Sequence, residues 1–76
     1  MLYRDRIEIS PEVCSGKPVI RGTRILVTSI LSQLSAGDSP EAVRRGYPEL
    51  SGEDIRAAIE FAKDSVEATE IAALRD

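Results

Sequence analysis

Apolar and polar side chains follow one another along the chain with two different periods. Residues 6–9 change between polar and apolar at every position, as in a short strand, and residues 17–20 indicate a second short strand with proline at its start. From Val27 to Leu34 the apolar positions instead fall at i, i+3, i+4 and i+7, one stripe of an amphipathic helix. We therefore predict an N-terminal hairpin or arm followed by helices.

Turn and capping residues divide the helical part. Gly37 stops the first helix as a C-cap glycine does. Ser39 then supplies an N-cap oxygen directly before Pro40, a residue that favours the first helical position. Gly46 and Pro48 end this second helix.

A third helix begins at Ser51, which with Asp54 three residues later resembles a capping box. It runs toward the C-terminus, or a further helix begins near Glu67. Its apolar stripe includes Val66. The helical stripes together predict one buried core, made of Val27, Ile30, Leu31, Leu34, Val43, Tyr47, Leu50, Ile55, Ile59 and Phe61.

These elements predict a mainly α fold, a three-helix helix-turn-helix bundle with a short N-terminal β-hairpin or arm. It is one domain with an arm over residues 1–25, a tri-helical core over 26–64 and a C-terminal helical extension over 65–76. A chain of 76 residues has a marginal core, and one cysteine with no histidine provides neither a disulfide nor a zinc site. We therefore expect it to pair with another chain, as a homodimer or a hetero-complex.

Composition also restricts the function. The N-terminus has no apolar run of signal-peptide length and no stretch approaches a membrane span, so we expect a cytoplasmic protein. With no histidine, a single cysteine and no paired acids in a predicted cleft, an enzyme is disfavoured. We expect no catalytic residues, no cofactor, no metal site and no small-molecule substrate.

The net charge of −3 is divided unevenly between the two halves of the chain. Residues 1–45 contain seven Lys or Arg and five acids, which gives +2, whereas residues 46–76 contain three and eight, which gives −5. A nucleic-acid contact is therefore expected mainly in the first half. The candidate DNA-binding residues are Arg21, Arg24, Arg44, Arg45 and, on the third helix, Arg56.

Each of these cations also has a structural interpretation. Arg21 and Arg24 flank Gly22 and Thr23, where glycine makes the bend into the first helix. Their guanidinium groups either contact phosphate or a partner, or tie down helix ends or acids elsewhere. Arg56, the candidate for base contact, is equally available to Glu60 as an i, i+4 pair. On the second interpretation the third helix exposes a solvated face that pairs its own charges.

The C-terminal extension carries an apolar pair beyond the predicted core. Ile71 and Leu74 lie three residues apart, and Arg75 follows them. An apolar stripe with nothing in the same chain to cover it is a partner-binding surface or a frayed end. We name these three residues as the candidate partner-binding set.

Three sequence blocks resemble a known family: GKPVIRGTRILV, LSAGDSPEAV and YPELSGEDIRAAIEFA. From about Ile7 to Ala62 the chain is similar to the small bacterial and archaeal family numbered 433 among the domains of unknown function. Leu26 departs from it, because the family places proline before the valine. The resemblance implies a homeodomain-like helix-turn-helix protein and an antitoxin that neutralises a PIN-like ribonuclease toxin and binds operator DNA for autoregulation. The alternative is a protein-interaction module without DNA binding, which the acidic second half favours.

Overall fold

The structure, a computed structural model, describes residues 5–69. It is mainly α, as predicted, with a small two-stranded antiparallel sheet ahead of three helices. The elements are β1 (Ile7–Glu8), β2 (Val19–Ile20), α1 (Val27–Ser35), α2 (Pro40–Gly46) and α3 (Gly52–Glu67), with a short 3-10 turn at Cys14–Gly16 between the strands. Each strand is shorter than the sequence pattern indicated.

The helices begin and end at the predicted capping residues. Gly37, at φ +102°, ends α1 in a Schellman motif in which the Asp38 N–H donates to the Gln33 carbonyl at 3.0 Å. The Ser39 hydroxyl accepts the Ala42 N–H at 3.1 Å at the start of α2. These bonds satisfy backbone groups that a helix end leaves without partners, so each stop and start is fixed locally.

The capping box at the start of α3 is complete. Ser51 Oγ accepts the Asp54 N–H at 3.1 Å, and Asp54 Oδ2 accepts the Ser51 N–H at 2.9 Å. Asp54 is the only buried acid among residues 5–69.

The two strands pair with each other, Ile7 opposite Ile20 and Glu8 opposite Val19. The segment after β2 turns back sharply at Gly22, whose φ of +81° favours glycine. Thr23 closes this turn: its hydroxyl donates to the Ile20 carbonyl at 2.7 Å and accepts the Ile25 N–H at 3.0 Å. The glycine-threonine pair therefore builds a compact bend into α1.

The core is shared between the arm and the helices. Ten apolar residues form its main cluster: Ile7, Ile20, Ile25, Val27, Ile30, Val43, Leu50, Ile55, Ala57 and Ala58. The prediction is confirmed for Val27, Ile30, Val43, Leu50 and Ile55, while Leu31, Leu34, Tyr47 and Phe61 are partly buried against the cluster. The sequence stripes did not include the arm, whose isoleucines complete this core.

The predicted buried face of α3 was wrong at two positions. Ile59 is 45% exposed and Val66 is 72% exposed. The reason is that α3 packs against β1 as well as against α1 and α2. This second contact rotates the buried face toward Asp54, Ala57 and Ala58 and turns position 59 outward.

One ionic contact ties the arm to the start of α3. Arg6 Nη1 donates to Asp54 Oδ1 and Arg6 Nη2 donates to Glu53 Oε1, both at 2.9 Å. Asp54 therefore joins the arm with one oxygen and caps α3 with the other.

Candidate partner-binding surface

The outward face of α3 carries exposed apolar side chains. Ile59 and Val66 lie seven residues apart, two helical turns, and therefore on nearly the same side of the helix. Exposed apolar side chains on one side of a helix contribute to a contact surface where they adjoin other apolar surface. This line is the first feature of the candidate surface.

An open groove of about 520 Å³ lies beside Ile59. It is formed where the first residues of α2 and α3 meet, and its lining consists of Pro40, Ser51, Gly52, Glu53, Ile55, Arg56, Ile59 and Glu60. A Cβ atom added at Gly52 would meet no heavy atom within 4 Å. The groove is therefore open at Gly52 and can receive a side chain from outside.

Charged side chains follow the apolar line along the same face. Arg56 and Glu60 are both exposed. The predicted Arg56–Glu60 pair is not formed: neither side chain takes part in an ion pair among residues 5–69. Lys63 approaches Glu67 and Asp64, each at 3.7 Å, so this lysine pairs with acids of its own helix.

The other predicted DNA-binding cations fall into two groups. Arg21 is committed to the arm, because its Nε donates to the Asp5 carbonyl at 2.9 Å and its Nη2 to the Ile7 carbonyl at 3.3 Å. Arg21 therefore has a structural role, but its guanidinium holds backbone carbonyls of the arm where the structural interpretation expected a helix end or an acid.

Arg24, Arg44 and Arg45 are exposed. Arg44 Nε donates to the Leu50 carbonyl at 3.3 Å across the connection between α2 and α3. No acid within residues 5–69 forms an ion pair with any of the three. Their positive charges therefore remain available at the surface.

The predicted partner-binding set of Ile71, Leu74 and Arg75 lies outside the described residues. Within the described part, no cluster of three potential ligand side chains is arranged to hold a metal ion. No helix in that same part has both the length and the apolar character needed to cross a membrane.

Sequence reasoning missed Arg6 and the outward turn of Ile59. Arg6 contacts residues more than forty positions away, and no local pattern indicates which acid it meets. The alternation of signs at Glu53, Arg56 and Glu60 is visible in the sequence, but it is equally consistent with pairing within the helix.

Comparison with known proteins shows one family. A family model described as "Protein of unknown function (DUF433)" matches residues 7–62. The chain is also similar to the "Uncharacterized protein y4eO" of Sinorhizobium fredii (strain NBRC 101917 / NGR234), with 37% identity over 60 residues that make up 79% of this chain and 27% of the relative.

A solved structure has the same fold. The crystal structure of a DUF433 member protein from Anabaena variabilis ATCC 29413 superposes with a TM-score of 0.78 at 33% identity and covers 84% of this chain. The matched part is 63% of that chain, so the present chain spans about a quarter of one relative and under two thirds of the other.

Proposed function

The chain belongs to the DUF433 family, and on that premise we propose that it is a non-enzymatic, cytoplasmic binding module that acts through protein–protein contact. The observation that carries the proposal is the α3 face, where Ile59 stands half-exposed beside an open, partly apolar groove. Apolar surface of this kind is stabilised when another protein removes it from water.

The specific role we propose is that of an antitoxin in a type II toxin–antitoxin module, with a PIN-like ribonuclease as the toxin. The family resemblance supplies this role, and the α3 face supplies a surface on which such an assembly depends. The charge distribution fits, because α3 and its neighbourhood are acidic and acidic surfaces favour protein partners over phosphate.

Co-expression with a PIN-like ribonuclease toxin tests the proposal. We expect the wild type to restore growth and to co-purify with the ribonuclease. Ile59→Lys should lose both effects, because it places a charge in the groove. Ile9→Lys is the matched control, since Ile9 is an isoleucine of the arm that is 60% exposed. A wild-type chain that neither protects cells nor co-purifies would contradict the antitoxin role.

Operator DNA is a second proposed partner, and the exposed charges of Arg24, Arg44 and Arg45 favour it. A homeodomain-like helix-turn-helix would use α2 and α3 to approach the major groove of DNA. However, the outer face of α3 presents Glu53 and Glu60 beside Arg56, and acids face phosphates unfavourably. Contact with phosphate therefore depends mainly on the three arginines outside α3.

Binding to the DNA upstream of the gene should be measured as a function of salt. Arg24→Ala or Arg45→Ala should each lower the slope of log K against log salt by roughly one. Arg56→Ala should abolish sequence preference if α3 reads bases. Arg21→Ala is expected to act through the arm, since its guanidinium is bound to backbone carbonyls. No detectable wild-type binding, with or without the toxin, leaves protein interaction alone.

A further inference from the structure

Two parallel rows of side chains run along the outer side of α3. The first row is apolar or small: Gly52, Ile59 and Val66 are exposed, and the buried Ile55 and the half-buried Ala62 form its inner edge. The second row is charged, lies about 100° further around the helix axis, and contains Glu53, Arg56, Glu60 and Lys63. Both rows advance by alternating steps of three and four residues, which is the spacing of a seam between two packed helices.

The charged row is complementary to itself when it is reversed. Its signs are negative, positive, negative and positive in order along the helix. An antiparallel copy related by a two-fold axis near residue 58 places Arg56 opposite the second copy's Glu60. The same register places Glu53 opposite the second copy's Lys63. A parallel copy would instead bring like charges together, which is destabilising.

The apolar row fits an antiparallel register whose axis lies near residue 59, about 1.5 Å along the helix from the axis of the charged row. Ile59 lies close to the two-fold axis and meets its own counterpart. At the ends of the contact, Val66 of the second copy lies opposite Gly52, where the groove is open and no atom occupies the space of a missing Cβ. Val66, 72% exposed, is thus a projecting side chain whose matching hole is on the other copy.

We propose that the outer face of α3 binds a second copy of this chain, with the two α3 helices antiparallel and Ile59 at the centre. The inference rests on the proposed function, because it names the protein that covers the face on which that function depends. The central pair of charges is ready for the contact, since neither Arg56 nor Glu60 has an ion-pair partner among residues 5–69. A dimer also doubles the exposed arginines Arg24 and Arg45.

Single charge reversals test the register in the purified chain, without toxin or DNA. In a dimer of Arg56→Glu, the new acid at position 56 of one molecule repels Glu60 of the other. In a dimer of Glu60→Arg, the new arginine at position 60 of one molecule repels Arg56 of the other. Each variant should self-associate at least tenfold more weakly than the wild type by sedimentation equilibrium. An equimolar mixture of the two variants should regain dimers, because acid then faces base at both central positions. Pairing within one helix cannot produce this recovery.

Two further variants complete the test. Val66→Lys should weaken the dimer at least tenfold, whereas Ile9→Lys should leave it unchanged, and both should keep the wild-type helix content by circular dichroism. The difference between the charge variants and the wild type should shrink in high salt. A monomeric wild type, or a dimer that is indifferent to both charge reversals, overturns the inference. A wild-type chain that dimerises but does not bind the toxin would instead reject the proposed function.

Discussion

The arm of residues 5–26 and the helices of residues 27–67 contribute to one core but are held in place in different ways. Each helix is delimited by capping bonds between residues only a few positions apart, such as Ser39 with Ala42. The arm has two-residue strands, and its attachments reach across the chain from Arg6 to Asp54 and from Val27 to Pro18. Two such strands alone are barely stable in water, so the arm depends on the helices beneath it.

The comparison shows that an arm with little regular structure can still be an essential part of a small core. Ile20 is 2% exposed and belongs to the same cluster as Ile30 of α1, which is fully buried. A chain of this length has few apolar side chains to bury, and each one carries a large share of the stability. The arm is therefore integral to the domain.

The largest expected effect tests whether a buried side chain of the arm contributes as much to the stability of the domain as one of the helices. Ile20→Ala should lower the free energy of unfolding by about 2–5 kcal/mol, as should Ile30→Ala, because both delete a buried side chain. Leu31→Ala should cost less than Ile30→Ala, since Leu31 is only partly buried. Urea unfolding measures all three, and Ile9→Ala is the exposed control. If Ile20→Ala costs no more than the control, the arm is not part of the core.

The next effect concerns the contact between the two regions. Asp54→Ala removes both the N-cap partner of α3 and the acceptor for Arg6, and should cost about 2–3 kcal/mol in urea unfolding. Glu53 is the other partner of Arg6, and the Glu53 side chain is 68% exposed. Glu53→Ala should therefore cost about 1 kcal/mol or less. Equal costs for the two variants would show that the buried oxygen adds nothing.

The helices could be predicted because their signals are local. Gly37, Ser39 and Ser51 mark boundaries through bonds to residues within a few positions, and all three boundaries were found from the sequence. The arm's role in the core could not be predicted in the same way. The pairing of Ile7 with Ile20 is visible as two short strands, but their packing under α3 depends on contacts distant in sequence.

The sequence predicts the candidate surface only in part, because packing between distant segments decides which side of α3 is exposed. The stripe of Ile55, Ile59 and Val66 shares only Ile55 with the buried set of Ile55, Ala57 and Ala58. Periodicity alone does not show which side of a broad apolar face is covered. The choice depends on where β1 packs. Once β1 occupies one side of α3, Ile59 faces outward and becomes part of the surface.

A smaller effect separates the two groups of arginines. Arg21→Lys should cost about 0.5–1.5 kcal/mol, because an ammonium group lacks the planar fork that reaches the Asp5 and Ile7 carbonyls together. Arg24→Lys, the neighbouring control, should change stability by less than about 0.5 kcal/mol, since the exposed Arg24 side chain forms no ion pair within residues 5–69. Thermal or urea unfolding measures both. A silent Arg21→Lys would return Arg21 to the set of cations available for DNA.

The smallest expected effect lies within the arm itself. It tests whether a hydrogen bond between residues close in sequence stabilises part of the arm. The Ser10 hydroxyl donates to Glu12 Oε1 at 2.5 Å, and this bond, with the backbone N–H of Glu12, lowers the pKa of Glu12 below its ordinary value of 4.5. Because the folded pKa is the lower one, the bond contributes stability above the unfolded pKa and loses it as pH falls through the folded pKa. Ser10→Ala should therefore raise the pKa of Glu12 toward its ordinary value, as measured by NMR titration of the carboxyl carbon. The stability difference between variant and wild type should also narrow below the folded pKa. An unchanged Glu12 titration in the variant would mean that the turn, like the rest of the arm, depends on contacts distant in sequence.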